Sequence, residues 1–332
     1  MLLLRHMEMK KLLQTQFAIN PIEIKKLWGY DNSNYLVKTK DKQYVFKIYI
    51  KNKETFDLVE AENDALLFLQ NTNNNFPKPI KFDDSSLVKI IKIEGNEMVC
   101  RMLSFLDGEM YGNVTPTKTL FKSLGRFIAK LDLKLQSFDN KTIKARRWHW
   151  DIQYLYLNKK YIKDIQSAKK RYLINYFFQQ FEENVIPVLP ELRKSIIHGD
   201  ANEWNVLVNN GKVTGIIDFA DLTHTPLIFE LAITIAYACL YIENPLEWAS
   251  LIIESYHNVL PLEEIEIAIL YNLIAARLCI SVCNSAHSKK VNPDNLYALM
   301  SEGPAWQLLH HWMNINPIAA ENRFRLAIDM TP

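Results

Sequence analysis

His198, Asp200 and Asn205 stand in the order His-x-Asp-x-x-x-x-Asn between two apolar runs, Ile196-Ile197 and Val206-Leu207-Val208. A second carboxylate, Asp218, closes the apolar segment Val213-Thr214-Gly215-Ile216-Ile217. A carboxylate beside a hydroxyl can accept its proton. A carboxylate and an amide oxygen together suit Mg²⁺, a hard cation that needs few protein ligands because phosphates and waters complete its octahedron. Upstream, Tyr44-Val45-Phe46-Lys47-Ile48 sets a lysine inside a strand pattern. Singly these features mean little: a strand lysine is usually solvated, and an Asp after an apolar strand commonly caps a turn. In this order they describe phosphoryl transfer, in which the protein aligns a hydroxyl and neutralises charge.

The elements that must position these groups follow from periodicity. Tyr35–Thr39 and Gln43–Ile50 are rich in β-branched and aromatic residues and flank the polar turn Lys40-Asp41-Lys42, which predicts a hairpin. Leu58, Ala61, Ala65, Leu66 and Leu69 recur with helical period. Asn71–Pro79 breaks that helix, and strand-like segments follow at Val88–Ile93 and Met98–Leu103. Beyond Gly108 the patterns turn helical. One helix starts at Thr115-Pro116, with the proline expected in its first turn, and another covers Tyr172–Val185. Ser195–Ile217 interrupts with short strands around polar loops, and at least three helices follow Leu227. The expectation is an α+β protein with a small antiparallel β-rich lobe over residues 1–103, a connector near Leu103–Gly108, and a larger helical lobe over 104–332.

Composition narrows the classes. The 332 residues carry 39 Lys+Arg against 37 Asp+Glu, and 48% are apolar, which excludes a disordered tail, a collagen-like repeat and a strongly basic nucleic-acid binder. Cys100, Cys239, Cys279 and Cys283 form no C-x-x-C pair, consistent with buried thiols in a reducing cytoplasm. The N-terminal leucine run is too short for a signal core, and Leu231–Ile242, read as the longest apolar stretch, falls short of the ~18 residues of a membrane span. A cytoplasmic protein without membrane or nucleic-acid partners is expected. Glycine is scarce, with only 9 residues, which argues against a glycine-rich phosphate cradle.

The order of the polar groups matches the catalytic loop and metal segment of kinases, with Lys47 as the nucleotide-binding lysine of the small lobe. Such a lysine needs an acidic partner, and the following helix offers Glu60 and Glu62. Two residues apart on a helix, they point to different faces, so only one can serve; Glu60 is preferred. The expected nucleotide loop, Leu27–Val37, has one glycine, Gly29. There Asn32, Ser33 and Asn34 favour turns and can present backbone N–H groups to phosphate.

At Gly29–Tyr35, Asp57–Asn63, His198–Asn205, Gly215–Leu222 and Phe229–Tyr237 the sequence resembles the aminoglycoside phosphotransferase and choline kinase superfamily, and within it most closely the hydroxylysine kinase group. Weaker echoes lie at Trp148–Asp151, Ala276–Cys279 and Trp306, so the likeness runs from about residue 20 to residue 315. The resemblance implies a protein-kinase-like bilobal fold, ATP or GTP as donor, Mg²⁺, and a small amino-bearing alcohol as acceptor. It implies Asp200 as base, Asn205 and Asp218 as metal ligands, Lys47 on the phosphates and Glu60 orienting it. Backbone from Ser104 to Leu106 would meet the purine. His198 is assigned to holding the catalytic loop in preference to exchanging protons. Ala220 departs from the pattern, since glycine usually follows Asp218-Phe219, and would stiffen the loop if positive φ is needed there.

The acceptor side stays open. Asp221 could bind an ammonium group. Glu230 could contact substrate or instead accept N–H groups of the catalytic loop. Arg277 could pair with a substrate carboxylate or form a buried structural ion pair, and Trp148 and Trp150 could wall the site or pack in the core. The leading expectation is a small-molecule kinase, with 5-hydroxylysine one candidate acceptor. The alternatives are an antibiotic kinase of the aminoglycoside type and a nucleotide-binding pseudokinase or scaffold. A protein kinase is disfavoured because Pro226 follows Asp218 closely, leaving no long activation segment.

Overall fold

The computed structural model describes residues 6–27, 29, 32–52, 54–70, 75–295 and 299–331. Trp28, Tyr30 and Asp31 of the expected nucleotide loop lie outside the described residues. The chain forms two compact units, one of Met1–Asp107 with Gly215–Ala220, the other of Gly108–Thr214 with Asp221–Pro332. A boundary at 103/104 takes no account of the last strand of the first unit, which runs through Ser104 and pairs it with Tyr44.

The first unit is an antiparallel sheet with a helix on either side. Its elements are α1 (His6–Phe17), β1 (Glu23–Leu27), β2 (Ser33–Lys38), β3 (Gln43–Ile50), α2 (Thr55–Gln70), β4 (Pro79–Ile80), β5 (Lys89–Ile93) and β6 (Asn96–Ser104). The strand order is β1-β2-β3-β6-β4, with β5 also on β6. Side chains alternate between sheet faces. Phe46, Ile48, Cys100 and Met102 therefore pack with Met9 and Leu13 of α1, while Tyr49 and Val99 pack with Val59 of α2. Lys47 falls on the α2 face by the same alternation. The hairpin read from Lys40-Asp41-Lys42 is present as β2–β3, and α1 is an element the sequence reading did not include.

The second unit begins with β7 (Glu109–Met110) and α3 (Lys118–Leu135), whose N-cap is Thr117 accepting from Leu120 N–H. Pro116 thus precedes the cap and lies outside the first turn. Next come α4 (Lys141–Ala145), a 3₁₀ stretch at Ile152–Asp164, and α5 (Ala168–Asn184). Short strands β8 (Lys194–Ile197), β9 (Val206–Asn209), β10 (Lys212–Ile216) and β11 (Thr223–Pro226) follow, with β8 paired to β11 and β9 to β7. Helices α6 (Ile228–Ala238), α7 (Pro245–His257), α8 (Glu264–Val291), α9 (Glu302–Met313) and α10 (Pro317–Leu326) complete it.

α6 is buried along its whole length, and α8 is buried on every face from Leu273 to Ser285, the mark of helices at the centre of a core. α8 is also the helix, among the described residues, long and apolar enough to cross a membrane; 89% of its most apolar stretch is inside the protein. This stretch, broken by Arg277, is longer than Leu231–Ile242. The four cysteines are buried and not in disulfides.

Candidate active site

In the first unit, Lys47 on β3 lies opposite Asn34 of β2 and Arg101 of β6. Its ammonium donates to Asp218 Oδ1 at 2.8 Å, and the two side chains are 6% and 40% exposed. Burial opposes the charge on Lys47, but Asp218, Tyr49 and Glu62 outweigh it and the pKa is raised. Asp218 adopts φ 63, in the left-handed region, which Asp enters more readily than most residues and which marks functional sites. Ala220 is not among the described non-glycine residues with positive φ; it sits in a short 3₁₀ turn, Phe219–Asp221. The strain is at the carboxylate, so the alanine is accommodated.

Of the two glutamates, the inward one is Glu62, not the preferred Glu60. Val59, Glu62, Asn63 and Leu66 share the buried face of α2, while Glu60 is exposed. Partial burial, with Asp64 and Asp57 one turn away on either side, raises the Glu60 pKa. Glu62 does not bond Lys47 either. It accepts from Arg101, whose guanidinium also donates to Asn63 Oδ1 at 3.2 Å and Tyr49 Oη at 2.9 Å. Sequence reasoning missed Arg101; an arginine inside the apolar run Met98–Leu103 was the available signal.

Asn32, Ser33 and Asn34 stand at and just before the start of β2, and Ser33 and Asn34 pair with Ile48 and Lys47. A Cβ on Gly29 would come 2.7 Å from Asn34 Nδ2, the tip of a side chain that can turn away, and 3.0 Å from Asn32 O. Ser104 is committed to the sheet: its N–H donates to Lys78 O, and its hydroxyl accepts from Lys78 N–H. Phe105 N–H donates to Gln43 O. Leu106, further along the connector, is half-buried.

In the second unit the catalytic loop spans β8 and β9. Gly199 has φ +80, and a Cβ there would stand 2.6 Å from Asp221 O; only glycine satisfies both demands. His198 is fully buried and its Nδ1 accepts from Asp200 N–H at 3.3 Å, a structural role. Asp200 Oδ2 accepts from Asn202 at 2.9 Å and from Asn205 at 2.7 Å, and its carbonyl accepts from Asn205 at 3.0 Å. Asp200 Oδ1 accepts from Arg277 at 2.8 Å. The carboxylate thus has donors on both oxygens while remaining 19% exposed.

Asn202, which the sequence reading passed over, also accepts from Trp204 N–H at 2.8 Å and closes an Asx turn. With its amide nitrogen held by Asp200, Asn205 keeps Oδ1, a hard oxygen donor, for another partner. That amide oxygen and the partly exposed Asp218 carboxylate are the hard donors Mg²⁺ takes, and each sits on a loop fixed by its own unit. The chemistry of the donor set fits the ion.

Arg277 is 1% exposed, its Nη1 donates to Trp150 O at 2.9 Å, and its guanidinium lies 5.0 Å from the Trp150 ring and 5.2 Å from that of Tyr237. Of the two readings, the buried ion pair is the one present, and its carboxylate is Asp200. Trp150 packs on this arginine. Glu230 is likewise fully buried and accepts from Gly199 N–H at 2.8 Å, so it supports the loop and does not face an acceptor. Burial pushes its pKa up to about 7, as it does that of Glu203, whose Oε1 accepts from Ser301. Asp221 is half-buried and accepts from Trp148 Nε1 at 2.9 Å. The crevice behind it, lined by Trp148, Trp150, Asp151, Gly199, Asp221 and Phe229, has no room for a water molecule.

A small antiparallel sheet carrying a buried lysine, and a helical unit carrying an Asp–Asn loop, define a kinase-like phosphotransferase. Residues 23–264 match the Phosphotransferase enzyme family, and the chain belongs to it. It is 26% identical to the hydroxylysine kinase of Mus musculus, over 93% of this chain and 89% of that one. Among solved structures it is similar to a microcompartment-associated aminopropanol kinase, with a TM-score of 0.74 and 16% identity over 93% of this chain and 98% of the other. An amicoumacin kinase solved with AMP-PNP and Ca²⁺ gives a TM-score of 0.71 and 15% identity over 95% and 97%. The protein is a small-molecule phosphotransferase.

Proposed function

We propose that the protein transfers the γ-phosphoryl group of ATP or GTP to the hydroxyl of a small amino-bearing acceptor in the cytoplasm, with an acceptor of the 5-hydroxylysine class favoured. The observation that carries the mechanism is the setting of Asp200, oriented through both oxygens yet partly open. Asp200 aligns the acceptor hydroxyl and takes its proton as the bond to phosphorus forms. Lys47 would neutralise phosphate oxygens; Asp218 of the first unit and Asn205 of the second would each offer an oxygen to Mg²⁺, which when bound screens charge between phosphates. His198 and Glu230 keep the catalytic loop in register from behind. The acceptor class is supported by the hydroxylysine kinase likeness along nearly the whole chain. The pseudokinase alternative is disfavoured because Lys47, Asp200, Asn205 and Asp218 are all present and bonded to partners that orient them.

The test is a coupled nucleotide-turnover assay with Mg²⁺ and a panel of 5-hydroxylysine, homoserine, amino alcohols, choline and aminoglycosides. Asp200→Asn, which keeps the side-chain shape beside Arg277, is expected to lower kcat by about 10²–10⁴-fold while leaving nucleotide affinity nearly unchanged. No turnover with any acceptor, or an Asp200→Asn variant as active as the wild type, rejects the enzymatic assignment of this loop.

A further inference from the structure

Behind the catalytic loop, two buried carboxyl groups feel one another's charge and have no cation of their own. Asp132 stands in the last turn of α3 and Glu230 in the first turn of α6, and both are fully buried. Asp132 Oδ2 accepts from the Tyr256 hydroxyl at 2.6 Å, and Glu230 Oε2 accepts from Gly199 N–H at 2.8 Å. The remaining oxygens, Asp132 Oδ1 and Glu230 Oε1, receive no donor although both are shut off from water. Buried polar atoms left in this way call for a physical explanation.

The surrounding charges supply one. Glu230 is the charge that acts most strongly on Asp132, and Arg193 opposes it more weakly. Arg277 acts on Glu230. Both arginines are bonded elsewhere: Arg193 Nε and Nη2 to the two oxygens of Glu266 at 2.8 Å, and Arg277 to Asp200 at 2.8 Å. Were Asp132, Glu230, Glu266 and Asp200 all ionised, four carboxylates would face two guanidinium groups, and a protein interior disfavours the surplus charge. A retained proton removes it. The helices decide where that proton sits. The first turn of α6 favours a negative charge on Glu230, helped by the N–H groups of Gly199 and His198, whereas the last turn of α3 disfavours one on Asp132. Burial accordingly raises Asp132 well above the usual carboxyl range and Glu230 only to about 7.

We infer that Asp132 is a positioning residue for phosphoryl transfer: it keeps its proton at neutral pH and presents it to Glu230, which fixes Gly199 and, through it, Asp200. The two open oxygens then answer each other, since a protonated carboxyl needs an acceptor and Glu230 Oε1 a donor. Loss of the proton puts two like charges in the core and sets Asp132 against the residue that holds the loop. The inference rests on Asp200 being the base, as proposed above.

Asp132→Asn tests it, because asparagine is a permanently neutral counterpart whose carbonyl can accept from Tyr256 while its amide donates to Glu230. A carboxyl raised on folding contributes stability that is complete below its unfolded pKa and lost as the pH rises through its folded one. At about pH 8.5, above the range in which Glu203 and Glu230 titrate, Asp132→Asn should therefore unfold at a urea concentration no lower than the wild type. At the same pH the infrared band of a protonated carboxyl should be present in the wild type and missing from Asp132→Asn. With nucleotide and acceptor saturating, kcat of the wild type should fall about tenfold per pH unit once the proton is lost, at constant nucleotide KM, and Asp132→Asn should lack this alkaline fall. A wild type without the band, or an Asp132→Asn variant that is less stable or does not fold, overturns the inference, since Asp132 is then an ion the fold requires. Superimposable kcat profiles overturn the positioning role even where the band is present. Absence of turnover with every acceptor rejects Asp200 as the base, and the positioning role with it, whereas the urea and infrared results need no turnover and judge the proton separately.

Discussion

Among the described residues each unit holds one fully buried arginine paired with a carboxylate, and the two pairs are built differently. In the first, Arg101 is closed off: Nε, Nη1 and Nη2 donate to Tyr49, Asn63 and Glu62, and the Glu62 side chain is 7% exposed. In the second, Arg277 bonds Trp150 O and Asp200 and its Nε has no partner, while Asp200 is 19% exposed. Completing every hydrogen bond makes a charged group structural, because nothing is left for a ligand to satisfy. Leaving the carboxylate partly open while its arginine stays buried makes a fixed, accessible acid–base group. The distinction recurs within the first unit, where Lys47 is 6% exposed and its partner Asp218 40%.

The sharpest way to break this comparison is to remove each arginine in turn. Arg101→Met and Arg277→Met should both destabilise, by about 3–5 kcal/mol each, since each strands a carboxylate that lost its partner. Only Arg277→Met should also lower kcat of the folded fraction, by about 10²-fold, the cost of letting a reacting group drift by an ångström. Steady-state kinetics on protein shown folded by denaturant melts decides the matter. Equal kcat losses in the two variants would mean that Arg101 is as much part of the machinery as Arg277, and the contrast between closed and open pairs would fail.

A smaller effect should appear in the pH dependence of stability. The second unit buries three carboxylates that are each bonded through one oxygen only: Glu203 Oε2, Glu230 Oε1 and Asp132 Oδ1 lack partners, while Ser301, Gly199 N–H and Tyr256 donate to the other oxygens. Burial raises Glu203 from the ordinary 4.5 to about 7. A carboxyl raised on folding holds a proton in the native state that the unfolded chain has released. Its contribution is therefore complete below pH 4.5, is lost as the pH rises through the window up to 7, and is constant above it. The loss is about 3 kcal/mol for Glu203, and Glu230 acts in the same direction. Urea unfolding across that window should show stability falling with pH, and Glu203→Gln should flatten the fall. An unchanged slope in Glu203→Gln would show that Glu203 is paired in solution, and the second unit would be as closed as the first.

What the sequence made legible followed from spacing and chemistry. Lys47 in an apolar strand, Asp200 and Asn205 across a short loop, and Asp218 at a strand end were each readable because local pattern sets their place. The β2–β3 hairpin and α2 were readable for the same reason. What was not legible depended on tertiary pairing. Glu60 and Glu62 differ by 200° around one helix, and only the register of α2 on the sheet turns Glu62 inward. Arg277 and Glu230 could each be read as an acceptor contact or as a structural group, because nothing local says that Asp200 and Gly199 lie against them.

The smallest expected effect concerns the loop that separates an intact site from a disabled one. The family resemblance implies glycine where Ala220 stands, and the alanine would weaken the enzyme only if that position needed positive φ. The left-handed residue is instead Asp218, at φ 63, two positions earlier, and its partly exposed carboxylate remains on Lys47. Ala220→Gly should therefore bring no gain in kcat. It should cost about 0.5–1 kcal/mol of stability, since glycine has more freedom to lose on folding and no strain is relieved in exchange. A rise in kcat would place positive φ at residue 220 during turnover. The open pair of the first unit would then be one that moves, unlike Asp200, whose two oxygens are held by three donors from its own unit.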